Sequence, residues 1–405
     1  MQPVIIERLG HLGDGIAPGP VYAPGTLPGE VLDGDIDNGY MPNPRIVTPS
    51  PDRVAPPCVH GKSCGGCQLQ HASEAFTANW KTEIVRTALA AQGLETEFRP
   101  IVTSPPQTRR RASFSARRTK KGALAGFHKK RSDVIVPVPN CLLVHPDLAG
   151  ALPLVEALAV LGGSRKGELS VLVTTTETGL DVSVTGGKPL DSELRASLAD
   201  IARDYDLSRI AWGDEETLQR RPPVLHFGPA AVTPPPGAFL QATPEGEAAL
   251  RDAVLEITKG AKRSADLFAG CGTFALPMAQ HSEVLAIEGA RAMTDALDHG
   301  WRMSRGLKAV TTQTRDLFRD PLIAEDMAKL DAVAIDPPRA GAEAQIAELA
   351  QAKPAKIAHV SCNPVTFARD AATLVRAGYD LDWLQVVDQF RWSTHIELVA
   401  SFTLR

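Results

Sequence analysis

The segment Asp266-Leu267-Phe268-Ala269-Gly270-Cys271-Gly272-Thr273-Phe274 restricts the fold of this chain more than any other. An apolar run, Ser264 to Phe268, leads into two glycines and then a helix-like stretch. Glycine lacks a Cβ and tolerates left-handed dihedrals, so such a turn lets the backbone approach a ligand closely. The rhythm continues downstream. Strand-like runs recur at Val284 to Ile287, Ala309 to Thr312, Ala332 to Ile335, Ile357 to Val360, Leu384 to Val387 and Ile396 to Phe402. Helical spacing separates them, and a helix over Glu245 to Thr258 precedes the first. This alternation predicts an α/β, Rossmann-like domain over 241–405, with a mainly parallel sheet and ligands at the carboxyl ends of its strands. There is no third glycine at dinucleotide spacing and no Walker lysine, which argues against NAD and ATP.

The remainder divides by composition. Residues 1–52 are rich in Gly, Pro and Asp and predict a small β-rich unit with tight turns. Residues 53–240 start with a proline-rich connector and a helix over Glu74 to Ala91, then mix strand-like and helical runs as in an α+β domain. The net charge of -4 gives no sign of a polyanionic partner, but Arg109 to Arg131 holds ten Lys or Arg and no acid. Phe114, Phe127 and small residues interleave with these charges, which favours strands presenting a polyanion-binding surface over a merely solvated face. The apolar content of 43% and charged content of 22% are those of a soluble globular protein. Without a membrane-length apolar run or a signal-peptide pattern, the cytoplasm is the expected location.

Several polar residues fall at strand ends. Glu288 ends the second strand, where a carboxylate can accept both hydroxyls of a ribose. Asp316, past the third, is placed to receive an adenine amine. Asp336-Pro337-Pro338-Arg339 follows the fourth strand. Amino-group methyltransferases carry a similar motif with an aromatic fourth residue; Arg339 argues against that chemistry. Cys362, in Ser361-Cys362-Asn363-Pro364, follows the fifth. A free cysteine is most often a small buried hydrophobe. At a strand end in an Asn-Pro turn it reads instead as a nucleophile, suited to an electron-poor ring carbon.

Of the six cysteines, Cys58, Cys64 and Cys67 form C-x5-C-x2-C, and Cys141 stands apart. Zinc takes four thiolates, usually from two close pairs. Three clustered cysteines plus a distant one is also an iron–sulfur spacing. Spacing alone leaves both open. His60 and His71, beside the cysteines, are expected to be surface or loop histidines rather than ligands.

The combination resembles the bacterial RNA 5-methyluridine methyltransferases, specifically the iron–sulfur branch acting on 23S ribosomal RNA. The likeness spans nearly the whole chain, including Phe239-Leu240-Gln241, the glycine loop, Asp-Pro-Pro-Arg, Ser-Cys-Asn-Pro and His395-Ile396-Glu397. It implies a class I S-adenosylmethionine methyltransferase domain behind a short TRAM-like domain and a central α+β domain. It implies Cys362 as nucleophile, Glu397 as base and Asp336 as the group orienting the uracil. Gln241, Asp266, Phe268, Gly270, Gly272, Glu288, Asp316 and Asp336 would line the S-adenosyl-L-methionine pocket. Cys58, Cys64, Cys67 and Cys141 would hold a [4Fe-4S] cluster. RNA is the implied partner and a monomer the implied state. Two departures are visible: the TRAM-like segment is short, and Thr243 stands where the family's Phe-x-Gln-x-Asn pattern has Asn. Cytosine-5 enzymes of this fold carry a second cysteine near Asp-Pro-Pro, and Asp336 to Gly341 has none.

The chemistry explains the residue types. Uracil carbon 5 becomes nucleophilic once a thiolate has added to carbon 6. The carbon-5 proton must then leave before the thiol can, so a base is needed. A stacked base cannot reach a buried thiol, which favours an RNA loop as substrate. The transfer-RNA relatives generally lack the four cysteines. A non-catalytic iron–sulfur RNA-binding protein is the reading from another class.

Overall fold

The computed structural model describes residues 3–214 and 216–405. An eight-stranded sheet runs in the spatial order Val310–Thr314, Glu283–Glu288, Arg263–Leu267, Ala332–Ile335, Lys356–Ser361, Leu398–Leu404, Tyr379–Asp388 and Glu97–Thr103. Leu398–Leu404 is antiparallel to both its neighbours, and every other pair is parallel. The α/β, Rossmann-like expectation holds. Ala332–Ile335 is buried along its whole length, as a strand covered on both faces must be. Alternate residues serve the two faces. Val333, Ile335 and Ile357 join the core beneath the helix Pro364–Arg376, while Ala334, Ala358 and Val360 join the core beneath Pro244–Ile257.

One difference from the sequence reading concerns residues 74–103, expected with the central region. The helix Glu74–Ala90 packs against Pro364–Arg376, burying Val85 and Leu89, and Glu97–Thr103 extends the sheet beside Tyr379–Asp388. This part of the chain therefore completes the C-terminal layer before the central region begins. A second difference follows the glycine loop, where the helix is a single turn, Ala275–Met278. The chain folds back there, with the amides of His281 and Ser282 both donating to the Met278 carbonyl.

The central seven-stranded sheet runs in the order Ile135–Val136, Ala123–His128, Arg111–Arg118, Leu169–Thr176, Gly179–Thr185, Arg209–Trp212 and Glu216–Gln219. The apolar faces of Leu152–Gly162 and Ser192–Asp204 close its core. The N-terminal region forms two small three-stranded sheets around Ile6, Ala17, Ala23, Leu32 and Met41. The basic run lies largely on the hairpin Arg111–Arg118 and Ala123–His128, so strands are found where strands were expected. Its charges are not all free. Arg110 pairs with Glu247, Arg117 with Glu168, and Lys130 and Arg131 with Asp14. Arg118, Lys120, Lys121 and Lys129 remain exposed. Among the described residues no helix is long and apolar enough to cross a membrane.

Candidate active site

The parallel strands deliver their carboxyl ends to one edge of the sheet. The glycine loop turns there through three left-handed residues, Phe268 (φ 65°), Gly270 (φ 56°) and Gly272 (φ 97°). A Cβ on Gly272 would stand 2.8 Å from Leu276 and 2.9 Å from Leu297, so only glycine fits. Glu288 accepts hydrogen bonds from the amides of Gly270 (3.1 Å) and Ala290 (2.9 Å), which ties the loop to the next strand. The Phe268 ring meets that of Phe318 with centroids 5.4 Å apart. Phe318 is half exposed at this edge and was missed, because a lone aromatic beyond Asp316 carries no motif. Asp316 caps its own turn through the Phe318 amide at 3.0 Å and lies near Arg319.

Asp266 is fully buried, and among the described residues neither of its oxygens makes a hydrogen bond of normal geometry; the Ala275 amide acts on it more weakly. Burial pushes its pKa well above the usual value; Asp336 and Glu288 add to this, and the Ala275 amide partly offsets it. An orphaned buried carboxyl is costly and calls for a donor or a cation. The loop, the free acid and Glu288 thus fit a polar, cationic nucleoside such as S-adenosylmethionine.

The reacting groups are brought together by register. Lys356–Ser361 and Leu398–Leu404 pair so that Ser361 faces Leu398. Cys362 and Glu397 follow just past these paired ends, near enough for Glu397 to raise the pKa of the thiol. Asn363 holds the cysteine turn: its side chain accepts from Val365 N at the start of the next helix and donates to the Arg339 carbonyl at 2.9 Å. This links the Ser-Cys-Asn-Pro and Asp-Pro-Pro-Arg segments directly.

Three acidic groups share the pocket. Burial pushes the Cys362 thiol up to about 11, Glu397 and Asp336 add to it, and Arg339 opposes. Burial raises Asp336 to about 7. Glu397 is raised well above the carboxylate range by burial and by Asp336, with the Gln389 amide acting the other way. Groups this close cannot all ionise, so the pocket holds fewer negative charges than acids.

A chain of amides joins the two carboxyls. Gln389 Nε2 lies 2.6 Å from Gln241 Oε1 and 3.2 Å from Glu397 Oε2, and Gln241 Nε2 lies 3.2 Å from Asp336 Oδ2. Gln241, expected to line the cofactor pocket, bonds Asp336, which is expected there too. Gln389 was missed; its sequence neighbourhood, Asp-Gln-Phe, carries no known chemistry. Thr243 in place of Asn caps the helix Pro244–Ile257 and bonds Ser104 Oγ at 2.7 Å, so it serves the scaffold.

Cys58, Cys64, Cys67 and Cys141 line one pocket, closed by apolar Phe127, Val138 and Leu143. Burial, then mutual repulsion, raises Cys67 to about 12. Four half-buried thiols lining one mainly apolar pocket are the donor set of a soft metal centre. Among the described residues, however, no three His, Cys, Asp or Glu side chains close to the geometry that would hold a metal ion. His60 lines the same pocket, with Nε2 unpartnered among the described residues. His71 lies in a turn, as a loop histidine was expected to, but it is buried, and burial lowers its pKa to about 4. Cys271 is a buried structural thiol against Met293.

Residues 235–402 match the tRNA (Uracil-5-)-methyltransferase family. An RNA methyltransferase of Caulobacter vibrioides, itself uncharacterised, is 43% identical over 417 residues, covering 100% of both chains. The 23S rRNA (uracil(1939)-C(5))-methyltransferase RlmD of Shewanella sp. ANA-3 is 32% identical over 435 residues, covering 100% of this chain and 96% of that protein. This chain belongs to the RNA uracil-5-methyltransferase family. Its fold matches that of the tRNA (uracil-54, C5)-methyltransferase of Pyrococcus abyssi, solved with S-adenosyl-L-homocysteine, at TM-score 0.77, 22% identity and 99% coverage of both chains. As a family member it is an RNA methyltransferase with a class I methyltransferase domain.

Proposed function

We propose that this enzyme methylates carbon 5 of a uridine in 23S ribosomal RNA, through a covalent bond between Cys362 and uracil carbon 6. The meeting of Cys362 and Glu397 just past the paired strand ends, with Asp336 acting on both, carries the reading. Gln241, Asp266, Phe268, Gly270, Gly272, Glu288, Asp316 and Asp336 hold S-adenosyl-L-methionine, which supplies the methyl group and a cationic sulfonium. The Cys362 thiolate adds to carbon 6 and its electron pair moves onto the ring as an enolate. Carbon 5 takes the methyl group. Glu397 removes the carbon-5 proton, the double bond re-forms and the thiolate leaves. Asp336 orients the base edge, and Arg339 favours the thiolate.

Cys58, Cys64, Cys67 and Cys141 hold a [4Fe-4S] cluster with a structural or RNA-positioning role, since no step above transfers an electron. Residues 1–52 and 53–240 present the RNA to the catalytic residues 241–405. The enzyme works as a cytoplasmic monomer. A transfer-RNA target is the second reading, favoured by the description of the matched family; the four cysteines and the full-length likeness to a 23S enzyme support ribosomal RNA.

Release of tritium from RNA labelled at uracil carbon 5 tests this. Cofactor-dependent release from a 23S transcript is expected, and Cys362→Ala should abolish it. Methyl transfer without release would overturn the assignment of Cys362. Release from transfer RNA alone would favour the second reading.

A further inference from the structure

The amide chain between Asp336 and Glu397 has a direction. The Ala242 amide lies 2.7 Å from Gln389 Oε1, and a backbone N–H can only donate. Gln389 Oε1 therefore faces Ala242, and Nε2 faces the other way. From Nε2 one bond goes to Gln241 Oε1 at 2.6 Å and one to Glu397 Oε2 at 3.2 Å. Since Gln241 Oε1 is taken as an acceptor, its own Nε2 donates to Asp336 Oδ2 at 3.2 Å. One backbone hydrogen thus sets the orientation of both glutamines.

The scaffold is built around this arrangement. Gln389 is 1% exposed. A Cβ on Gly246, in the first turn of Pro244–Ile257, would come within 2.7 Å of Gln389 Cβ and 3.1 Å of its Oε1. The preceding Asp388 is locked by Lys81 at 2.6 Å, and Val387 N donates to the Glu397 carbonyl at 2.8 Å. The Gln241 carbonyl accepts from Arg110 Nε at 3.0 Å, and Arg110 pairs with Glu247.

We infer that Gln389 is a positioning residue that assigns the two oxygens of Glu397 to different tasks. Oε2 accepts the Gln389 hydrogen, so it cannot hold a proton toward that neighbour. Oε1 is left to take the proton from the substrate. The same donor favours the ionised base in a pocket where Asp336 and Cys362 oppose ionisation. The charged groups around the base are Asp336 and Cys362 at the neighbouring strand ends, the Lys81–Asp388 pair behind Gln389, and the Arg110–Glu247 pair behind Gln241. None but Gln389 donates to the Glu397 carboxylate among the described residues. This inference rests on the reading of Glu397 as the base.

The test uses two variants of similar shape, Gln389→Met, which removes the donor, and Gln389→Glu, which replaces it with a further acid. Turnover, KM for RNA, tritium release and denaturant-resistant protein–RNA adduct are measured against pH, with Glu397→Gln alongside. Removing a hydrogen-bond donor from a carboxylate raises its pKa. The acid limb of tritium release should therefore move to higher pH in Gln389→Met and further in Gln389→Glu. At neutral pH kcat should fall about 10-fold or more, with KM for RNA little changed and adduct accumulating. If both variants keep the wild-type acid limb, or lose RNA affinity and turnover together, the inference is overturned. If Glu397→Gln also releases tritium normally, the reading of Glu397 fails instead. Should Gln389→Met not fold, Gln389→Leu, likewise neutral and without a donor, decides: a purely space-filling role leaves its pH profile unmoved.

Discussion

Asp266 shows how the site trades stability for binding. Its folded pKa lies well above the ordinary carboxylate value of about 3.9. The folded state thus holds a proton that the unfolded state releases, and stability falls as pH rises from about 4 through the folded pKa. Asp336 and Glu397 contribute with the same sign. Asp266→Asn should raise the melting temperature, by an amount that grows from pH 4 to neutrality, and should weaken S-adenosylmethionine binding. Melting scans at several pH values with calorimetric titration check both. Cys362 supplies a second prediction. With its thiol near 11, alkylation by iodoacetamide should be slow at neutral pH. It should rise about tenfold per pH unit, because only the thiolate reacts. Bound S-adenosylmethionine, bringing a positive charge to the acids, should lower that pKa; peptide mass mapping of the alkylation rate reads it.

At the scale of elements, the helix Glu74–Ala90 is tied to the catalytic edge by one buried ion pair. Lys81 Nζ meets Asp388 Oδ1 at 2.6 Å and the Phe390 carbonyl at 3.3 Å. Both side chains are almost wholly buried. Removing one partner strands the other charge, so Lys81→Met should cost on the order of 3–5 kcal/mol in urea unfolding. Lys81→Met with Asp388→Asn should cost less, since no lone charge remains. Any shift of the strand end would carry Gln389 with it. The cysteine segment reaches the same place, because the amides of Gln68 and Leu69 both donate to the Trp392 carbonyl, at 2.8 and 2.9 Å. Loss of order around Cys58, Cys64 and Cys67 therefore has a short route to the loop that leads to Glu397.

For the whole molecule, the question is how a chain of net charge -4 meets RNA. The basic run is partly engaged inside the protein, where Arg110 and Arg117 pair with acids and Lys130 and Arg131 hold the N-terminal region through Asp14. Lys129 apart, the exposed remainder gathers at the turn joining Arg111–Arg118 to Ala123–His128, as Arg118, Lys120 and Lys121. Reversing Lys120 and Lys121 to Glu should weaken RNA binding without changing the melting temperature. It should also flatten the plot of log affinity against log salt by about one to two, since each phosphate neutralised on a single strand contributes roughly 0.7 to the slope. Filter binding across a salt series measures this.

The local signals were enough for the C-terminal fold and for most of the residues at its edge. Glycines at a strand end, acids ending successive strands and a cysteine before Asn-Pro are short-range patterns, and each fell where its strand ends. What depended on distant pairing was not legible. Glu97–Thr103 joins a sheet whose other strands begin 160 residues later, because among the described residues its edge pairs with Tyr379–Asp388. Whether Arg110 faces RNA or Glu247 is decided by an ion pair across 137 residues. Gln389 gains its place only when Ala242, Gln241 and Glu397 converge on it. Sequence alone determined which residues can carry the chemistry, since side-chain type and strand periodicity are local properties. Tertiary structure decided which of them touch, because hydrogen-bond direction, burial and charge sharing exist only once distant segments pack.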